Sequence, residues 1–122
     1  MKVSITSWSS GGKIFPDGFN TSHLKALKVH KVQCFPLYSI LVAVGRTSVD
    51  YFSLDVEGFE LKVLQTIPWD KVDIKVLTVE WQAITRQAIP EYMKNIGYIK
   101  RHRAQFFYAD DLIFVKNNTI LF

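Results

Sequence analysis

The chain has 122 residues, of which 48% are hydrophobic and 21% charged, a balance that indicates one packed domain and excludes a disordered chain. Its net charge of +4 is small and its basic residues are mostly scattered, so we expect no nucleic-acid partner. The single cysteine excludes an internal disulfide, and no stretch reaches the roughly 18 apolar residues that span a bilayer.

The beginning of the chain shows no hydrophobic period. Residues 1–22 are rich in Ser, Thr and Gly, and we therefore expect an irregular N-terminal segment over residues 1–30. Gly11 and Gly12 would form a phosphate-binding loop only between a strand and a helix, and Pro16 prevents a long helix there.

A strand followed by a helix is predicted next. Residues 29–35 are typical of a short strand, and Pro36 suits the first residue of a helix because its fixed φ and missing N–H cost nothing there. Apolar residues then recur at helical spacing, at Leu37, Ile40, Leu41 and Val44. Gly45 is expected to end this helix.

The middle of the chain has the pattern of a strand–helix–strand unit. Residues 49–56 predict a strand buried on both faces, because their apolar residues do not alternate with polar ones. Phe59, Val63 and Ile67 recur every four residues, with Leu64 alongside, which predicts a helix that ends before Pro68. Residues 74–79 predict the next strand, and this length of connection makes the two strands parallel.

The last third predicts a helix and an antiparallel pair of strands. A helix over about residues 85–96 carries an apolar stripe, with Pro90 as an early residue and Gly97 as the stop. The members of the stripe are Ile89, Tyr92, Met93 and Ile96. Residues 98–103 and 106–116 then read as strands with a short link between them, so they should be antiparallel.

Acidic residues end both of the predicted parallel strands. Asp55 and Glu57 follow the first, and Glu80 follows the second, so all three are expected to face one crevice. Carboxylates there can bind hydroxyl or amine groups, hold a divalent cation or act as a general base. A structural role at a helix N-terminus is the alternative for Glu57 and is favoured for Glu60. The single cysteine and the three histidines lack metal-ligand spacing, and no metal site is predicted.

Residues 49–60, VDYFSLDVEGFE, resemble the central motif of FkbM-type methyltransferases, an apolar strand that ends in Asp-x-Glu-Gly-x-Glu. Glu80 matches the Glu that ends the next strand of that family, and residues 97–98 and 111–115 are similar to its closing elements. Residues 34–41 and 67–70 are similar to the arthropod Star-like branch of the family. The resemblance extends over about residues 30–116.

The resemblance implies a partial Rossmann-like methyltransferase fold over residues 31–118, with parallel strands, helical crossovers and a C-terminal antiparallel pair. It also implies S-adenosylmethionine as the methyl donor and a hydroxyl of a small molecule or glycan as the acceptor. By the same resemblance, Asp55 and Glu57 are catalytic, and Asp55 and Glu80 bind the cofactor. The family's Gly-rich cofactor loop has no counterpart in context before residue 32, so we expect a truncated form of the domain.

Two alternatives to an enzyme stay open. The first is a non-catalytic Star-like interaction or trafficking module with a protein ligand in the secretory pathway; otherwise a cytoplasmic location is expected. The second is nucleic-acid binding through the basic residues 100–103 and the aromatic residues that follow, although a solvated hairpin with charged flanks is the favoured interpretation of that segment. Strands that lack their usual neighbours would also expose a sheet edge and an apolar face, which predicts marginal stability or self-association.

Overall fold

The fold is seen in a computed structural model that describes residues 2–8, 11–16, 20, 22, 28–80, 87–105 and 110–119. Within these residues the elements follow one another as β1 (Lys2–Trp8), β2 (Gly11–Pro16), β3 (Lys28–Gln33), α1 (Leu37–Ala43), β4 (Ser48–Leu54), α2 (Glu60–Gln65), β5 (Asp73–Glu80), α3 (Ala88–Asn95), β6 (Tyr98–Gln105) and β7 (Asp110–Lys116). The described strands form two sheets, one of three strands and one of four.

The three-stranded sheet has the order β2-β1-β3, and β1 is antiparallel to both neighbours. The expectation of irregular structure is therefore wrong for β1 and β2. Pairing of Trp8 with Gly11 leaves only two residues between these strands, the length of a tight hairpin connection. Val3 and Ile5 alternate with Ser and Thr in β1, a period of two that single apolar residues express weakly.

The four-stranded sheet has the order β4-β5-β7-β6 and mixed orientation. Strands β4 and β5 are parallel and joined through α2, which confirms the predicted strand–helix–strand unit. Strand β7 lies between β5 and β6 and is antiparallel to both, which confirms the predicted antiparallel pair at the end of the chain. This mixed α/β architecture is consistent with a methyltransferase-like fold.

The core lies between one face of the four-stranded sheet and the helices. Register places Leu54 beside Val79 and Leu77 beside Phe114, so these side chains share a face. The buried apolar residues are Leu54, Leu64, Ile67, Val72, Ile74, Leu77, Val79, Ile89, Met93, Tyr98, Leu112, Phe114 and Val115. Helix α3 begins at Ala88 with Pro90 in its first turn, and its predicted apolar stripe is buried or half-buried as expected.

Polar bonds inside the core tie α2 to α3 and β6. The indole N–H of Trp69 points to the Leu64 carbonyl at 3.1 Å and to the Tyr92 hydroxyl at 3.0 Å. The ring of Trp69 also packs edge-on against the ring of Tyr98, with 5.4 Å between centroids. The Tyr98 hydroxyl donates to the carbonyl of Ile74 at 2.6 Å. These bonds satisfy buried polar groups and hold the helices in one position on the sheet.

Helix α1 behaves differently from α2 and α3. It begins at Leu37, one residue later than predicted, with Pro36 as the extended residue before it. It has no buried residue, and Val42 and Val44 are 52% and 64% exposed. Strand β4 next to it is an edge strand of the described sheet. None of the helices in the described part of the chain is long and apolar enough to cross a membrane.

Candidate functional site

The carboxyl ends of β4 and β5 carry the acidic residues that the sequence singled out. Asp55 follows β4 directly, and Glu80 is the last residue of β5. Because Leu54 pairs with Val79 in the parallel register, the next residue of each strand lies at the same edge of the sheet. This edge is where open α/β sheets bind ligands.

The turn between β4 and α2 has an unusual backbone. Glu57 has a φ of 53° and Gly58 a φ of 96°, so two successive residues lie in the left-handed region. Glycine adopts this conformation at little cost, whereas a residue with a Cβ atom is strained there. Such strain persists only where surrounding contacts impose it, and it is common at functional sites.

The contacts that impose this turn come from Glu60, the first residue of α2. Its Oε1 atom accepts hydrogen bonds from the backbone N–H groups of Val56 at 2.9 Å and Gly58 at 3.1 Å. The side chain of Glu60 is completely buried. The two N–H groups belong to the residues on either side of Glu57. A buried carboxylate that bonds to both of them therefore fixes the backbone of the turn.

Three carboxylates meet at this edge. One carboxylate oxygen from each of Asp55, Glu60 and Glu80 lies within 4.8 Å of the other two. The three side chains are called the acidic cluster below. Asp55 is exposed, Glu80 is half-buried and Glu60 is buried, so the cluster extends from the protein interior to the surface. On β7, Asp111 lies directly opposite Glu80, which adds a further acid to the same edge.

The second oxygen of Glu60 is left without a hydrogen bond. Its Oε2 atom is buried and has no partner among the described residues. Elsewhere in the described part of the chain, lysines pair with other acids, Lys75 with Asp50 at 2.6 Å and Lys116 with Asp73. The hydrogen bond and charge of Lys75 lower the pKa of Asp50, and Asp50 raises the pKa of Lys75 in return.

The structure thus brings Asp55 and Glu80 together but leaves Glu57 outside the acidic cluster. The helix-terminus role favoured for Glu60 is only part of what it does, because it also supplies the third carboxylate. The sequence signal for the burial of Glu60 is its helical spacing from Leu64 and Ile67. Of the predicted apolar stripe, Leu64 and Ile67 are buried, whereas Phe59 and Val63 are only half-buried and Glu60 takes the buried position one turn before Leu64.

An apolar cavity of about 340 Å³ lies on the helical side of the same turn. Val56 and Phe59 of the turn contribute to its wall together with Phe52 of β4. Phe35 and Ile40 form the part of the wall that comes from α1 and the segment before it, and both are exposed.

Parallel strands that end in acids, a strained turn before a helix and an apolar cavity beside it are features with which α/β domains commonly bind ligands. The sequence model described as "Methyltransferase FkbM domain" matches residues 6–100. The chain therefore belongs to the FkbM methyltransferase-domain family. The match begins within β1 and includes β2 and β3, although the sequence analysis had placed β1 and β2 in an irregular segment.

No curated protein and no solved structure matches the chain significantly. None of the comparisons supports placement in the arthropod Star-like branch, so that finer assignment stays a hypothesis.

Proposed function

We propose that the chain acts as an S-adenosylmethionine-dependent O-methyltransferase domain of the FkbM type, with a Rossmann-like arrangement of its parallel strands. The observation that carries this proposal is the position of Asp55 and Glu80 at the carboxyl ends of adjacent parallel strands. Family membership supports the reaction class, and the acids at the edge of the sheet support that edge as the proposed site.

The chemistry of the acids at this edge fits the cofactor. S-adenosylmethionine carries hydroxyl groups and an ammonium group, which donate hydrogen bonds, and a positively charged sulfonium. Ionised carboxylates accept such hydrogen bonds and attract such charges. Asp55 and Glu80 are therefore the residues proposed to hold the cofactor, with Asp55 exposed to solvent and Glu80 half-buried at the base of the edge.

Bound S-adenosylmethionine supplies an electrophilic methyl group. The acceptor is proposed to be a hydroxyl of a small molecule or glycan, which loses its proton to the carboxylate of Asp55 or Glu57. Transfer of the methyl group from sulfur to this oxygen is the chemistry that the bound cofactor would supply, and Asp55 and Glu80 would hold the cofactor while it does so. The reaction needs an aligned approach within about 3–3.5 Å, so the task of the protein is mainly to position the acceptor.

The turn supports this task because its backbone is held from inside the protein. The buried Glu60 carboxylate bonds to the N–H groups on either side of Glu57, which keeps the backbone of Glu57 in one strained conformation. A carboxylate on a fixed backbone loses less entropy when it orients an acceptor than one on a mobile loop.

Calorimetric titration with S-adenosylmethionine tests the proposal. The wild-type chain is expected to release or absorb heat with saturation, and Asp55→Asn and Glu80→Gln should each bind at least about tenfold more weakly, since each loses a charge-assisted hydrogen bond. Glu91→Gln removes the same charge from an exposed position on α3 and should bind as the wild type does. Absence of heat from folded wild-type protein at high concentration would refute cofactor binding by this chain.

The non-catalytic Star-like module stays as the second hypothesis, and no described residue favours it over methyl transfer. The same titration separates the two. A folded chain that binds no cofactor, yet binds a protein ligand of the secretory pathway, would support the module. Saturable cofactor binding that depends on Asp55 and Glu80 would count against it.

A further inference from the structure

The acidic cluster of Asp55, Glu60 and Glu80 has a geometry that cofactor binding does not account for. From it we infer that the chain binds one divalent cation that prefers oxygen ligands, of the class of Mg²⁺, Mn²⁺ and Ca²⁺, between these three carboxylates. The site is a property of the described side chains and stands whether or not the chain transfers a methyl group.

The distances suit a single ion. The three oxygens lie within 4.8 Å of one another, and an ion of this class binds carboxylate oxygens at about 2.0–2.6 Å. Two oxygens on opposite sides of one ion are therefore about 4–5 Å apart. An ion between them can contact all three carboxylates without movement of the strands that carry Asp55 and Glu80.

Glu60 provides the observation that points to a ligand. It is completely buried, and two backbone N–H groups hold its Oε1 atom. Its Oε2 atom is equally buried but has no hydrogen-bond partner among the described residues. A buried carboxylate oxygen without a partner is costly, and a cation removes that cost. Hydrogen bonds that orient a carboxylate from behind are the usual support of a metal ligand.

The charges at this edge also favour a cation. Among the described residues, no lysine or arginine pairs with Asp55 or Glu60, although lysines pair with Asp50 and Asp73 elsewhere. Asp111 lies opposite Glu80 on β7 and adds negative charge to the edge. Like charges placed opposite one another repel, and a cation between these carboxylates would relieve that repulsion.

The ion would be accessible, because Asp55 is exposed. Its remaining coordination positions would hold water or a hydroxyl group of a ligand. Each carboxylate has two oxygens, so ligation through one leaves the other for a cofactor group. An acceptor hydroxyl on such an ion would lose its proton more readily, and this last step alone rests on the proposed methyl transfer.

Binding of Mn²⁺ to the whole chain tests the inference without any measurement of activity. The electron paramagnetic resonance signal of free aqueous Mn²⁺ should fall on addition of wild-type protein, with saturation at one ion per chain, and Mg²⁺ should restore the signal by competition. Asp55→Asn and Glu80→Gln should each weaken binding at least about tenfold, because each removes one ligand. Neither change disturbs the core, since Asp55 is exposed and Glu80 is only half-buried.

Glu57→Gln is the matched control, because it removes the same charge from the same turn but outside the acidic cluster. It should bind Mn²⁺ within about twofold of the wild type. Absence of Mn²⁺ binding to the folded wild type would overturn the inference, as would equal binding by wild type, Asp55→Asn and Glu80→Gln. A Glu60→Gln variant as stable as the wild type, with no stabilisation of either protein by Mn²⁺, would also overturn it, since the buried oxygen of Glu60 would then need no cation.

Discussion

The Oε1 atom of Glu60 accepts a hydrogen bond of 3.1 Å from the backbone N–H of Gly58, two residues before it in the chain. The same oxygen accepts a bond of 2.9 Å from Val56, so one buried carboxylate holds the whole turn that carries Glu57. The acid that shapes the candidate site is therefore a different residue from the acids that face solvent there.

The first prediction concerns the stability of that turn. Glu60→Ala should lower the free energy of unfolding by about 3 kcal/mol, because it leaves two backbone N–H groups without their charged acceptor. Glu60→Gln keeps an oxygen acceptor and should lose less than half as much. Urea denaturation monitors both variants. Glu91→Ala, at an exposed position of α3, should stay within about 0.5 kcal/mol of wild type, and an equal loss in all three variants would contradict this role.

The strained φ of Glu57 gives a second prediction. Glu57→Gly should raise the free energy of unfolding by about 1 kcal/mol, since glycine has no Cβ atom to be strained at a φ of 53°. The proposed methyl transfer should nevertheless fall, because the carboxylate is lost. Asn118→Gly is the matched control at a φ of 68° outside the site. Asparagine tolerates this region, so the control should gain less stability and keep its activity.

Tyr98 gives a prediction about pH. Burial, with a smaller contribution from the charge of Asp73, raises the pKa of Tyr98 to about 12. In the unfolded chain the pKa of this hydroxyl is about 10, so the folded state binds the proton more tightly. The corresponding stability is complete below about pH 10 and is lost as the pH rises towards about 12. The shifted pKa of Tyr98 contributes at most about 2–3 kcal/mol to the free energy of unfolding.

Tyr98→Phe isolates this effect. At neutral pH the variant should be less stable than wild type by about 1 kcal/mol, because the Ile74 carbonyl loses its hydrogen bond. Near pH 12 the order should reverse, since only wild type then carries a phenolate in the core. Urea denaturation of both proteins from pH 8 to pH 12 measures the difference between their free energies of unfolding. The contributions of all other titrating groups cancel in this difference. A difference that stays constant over this range would contradict the burial of a protonated Tyr98.

The exposed apolar surface near α1 predicts self-association, as the sequence analysis expected. Val42 and Val44 are more than half exposed, and β4 presents a strand edge in the described sheet. Val42→Lys and Val44→Lys should each weaken association about tenfold, the equivalent of about 1.4 kcal/mol from one valine removed from a contact. Sedimentation velocity measures the change.

Asn95→Lys is the control for added charge, because Asn95 is exposed at the end of α3. It should associate as wild type does. A wild-type chain that sediments as a monomer at high concentration would contradict the prediction, and so would equal weakening by all three substitutions.

Much of the four-stranded sheet could be predicted from local patterns. The apolar run before Asp55 and the run before Glu80 identified β4 and β5, since both runs are rich in apolar residues. The predicted burial of β4 on both faces is wrong, because Leu54 is its only buried residue and Tyr51 is 58% exposed. The spacing of Ile89 and Met93 identified α3 for the same kind of reason. Strands β1 and β2 were placed in an irregular segment, because the few apolar residues of β1 express its period of two only weakly and the strands are stabilised by backbone pairing with one another and with β3.

The sequence by itself determined that acids end two neighbouring parallel strands, because the position of a residue in a strand–helix–strand unit follows from the order of its elements. Only the tertiary structure decided which acids meet. Glu57 is adjacent to Asp55 in the motif, yet its left-handed backbone leaves it outside the acidic cluster. Glu60 enters the cluster because packing of α2 on the sheet buries its side chain, and burial of that kind depends on contacts between distant parts of the chain.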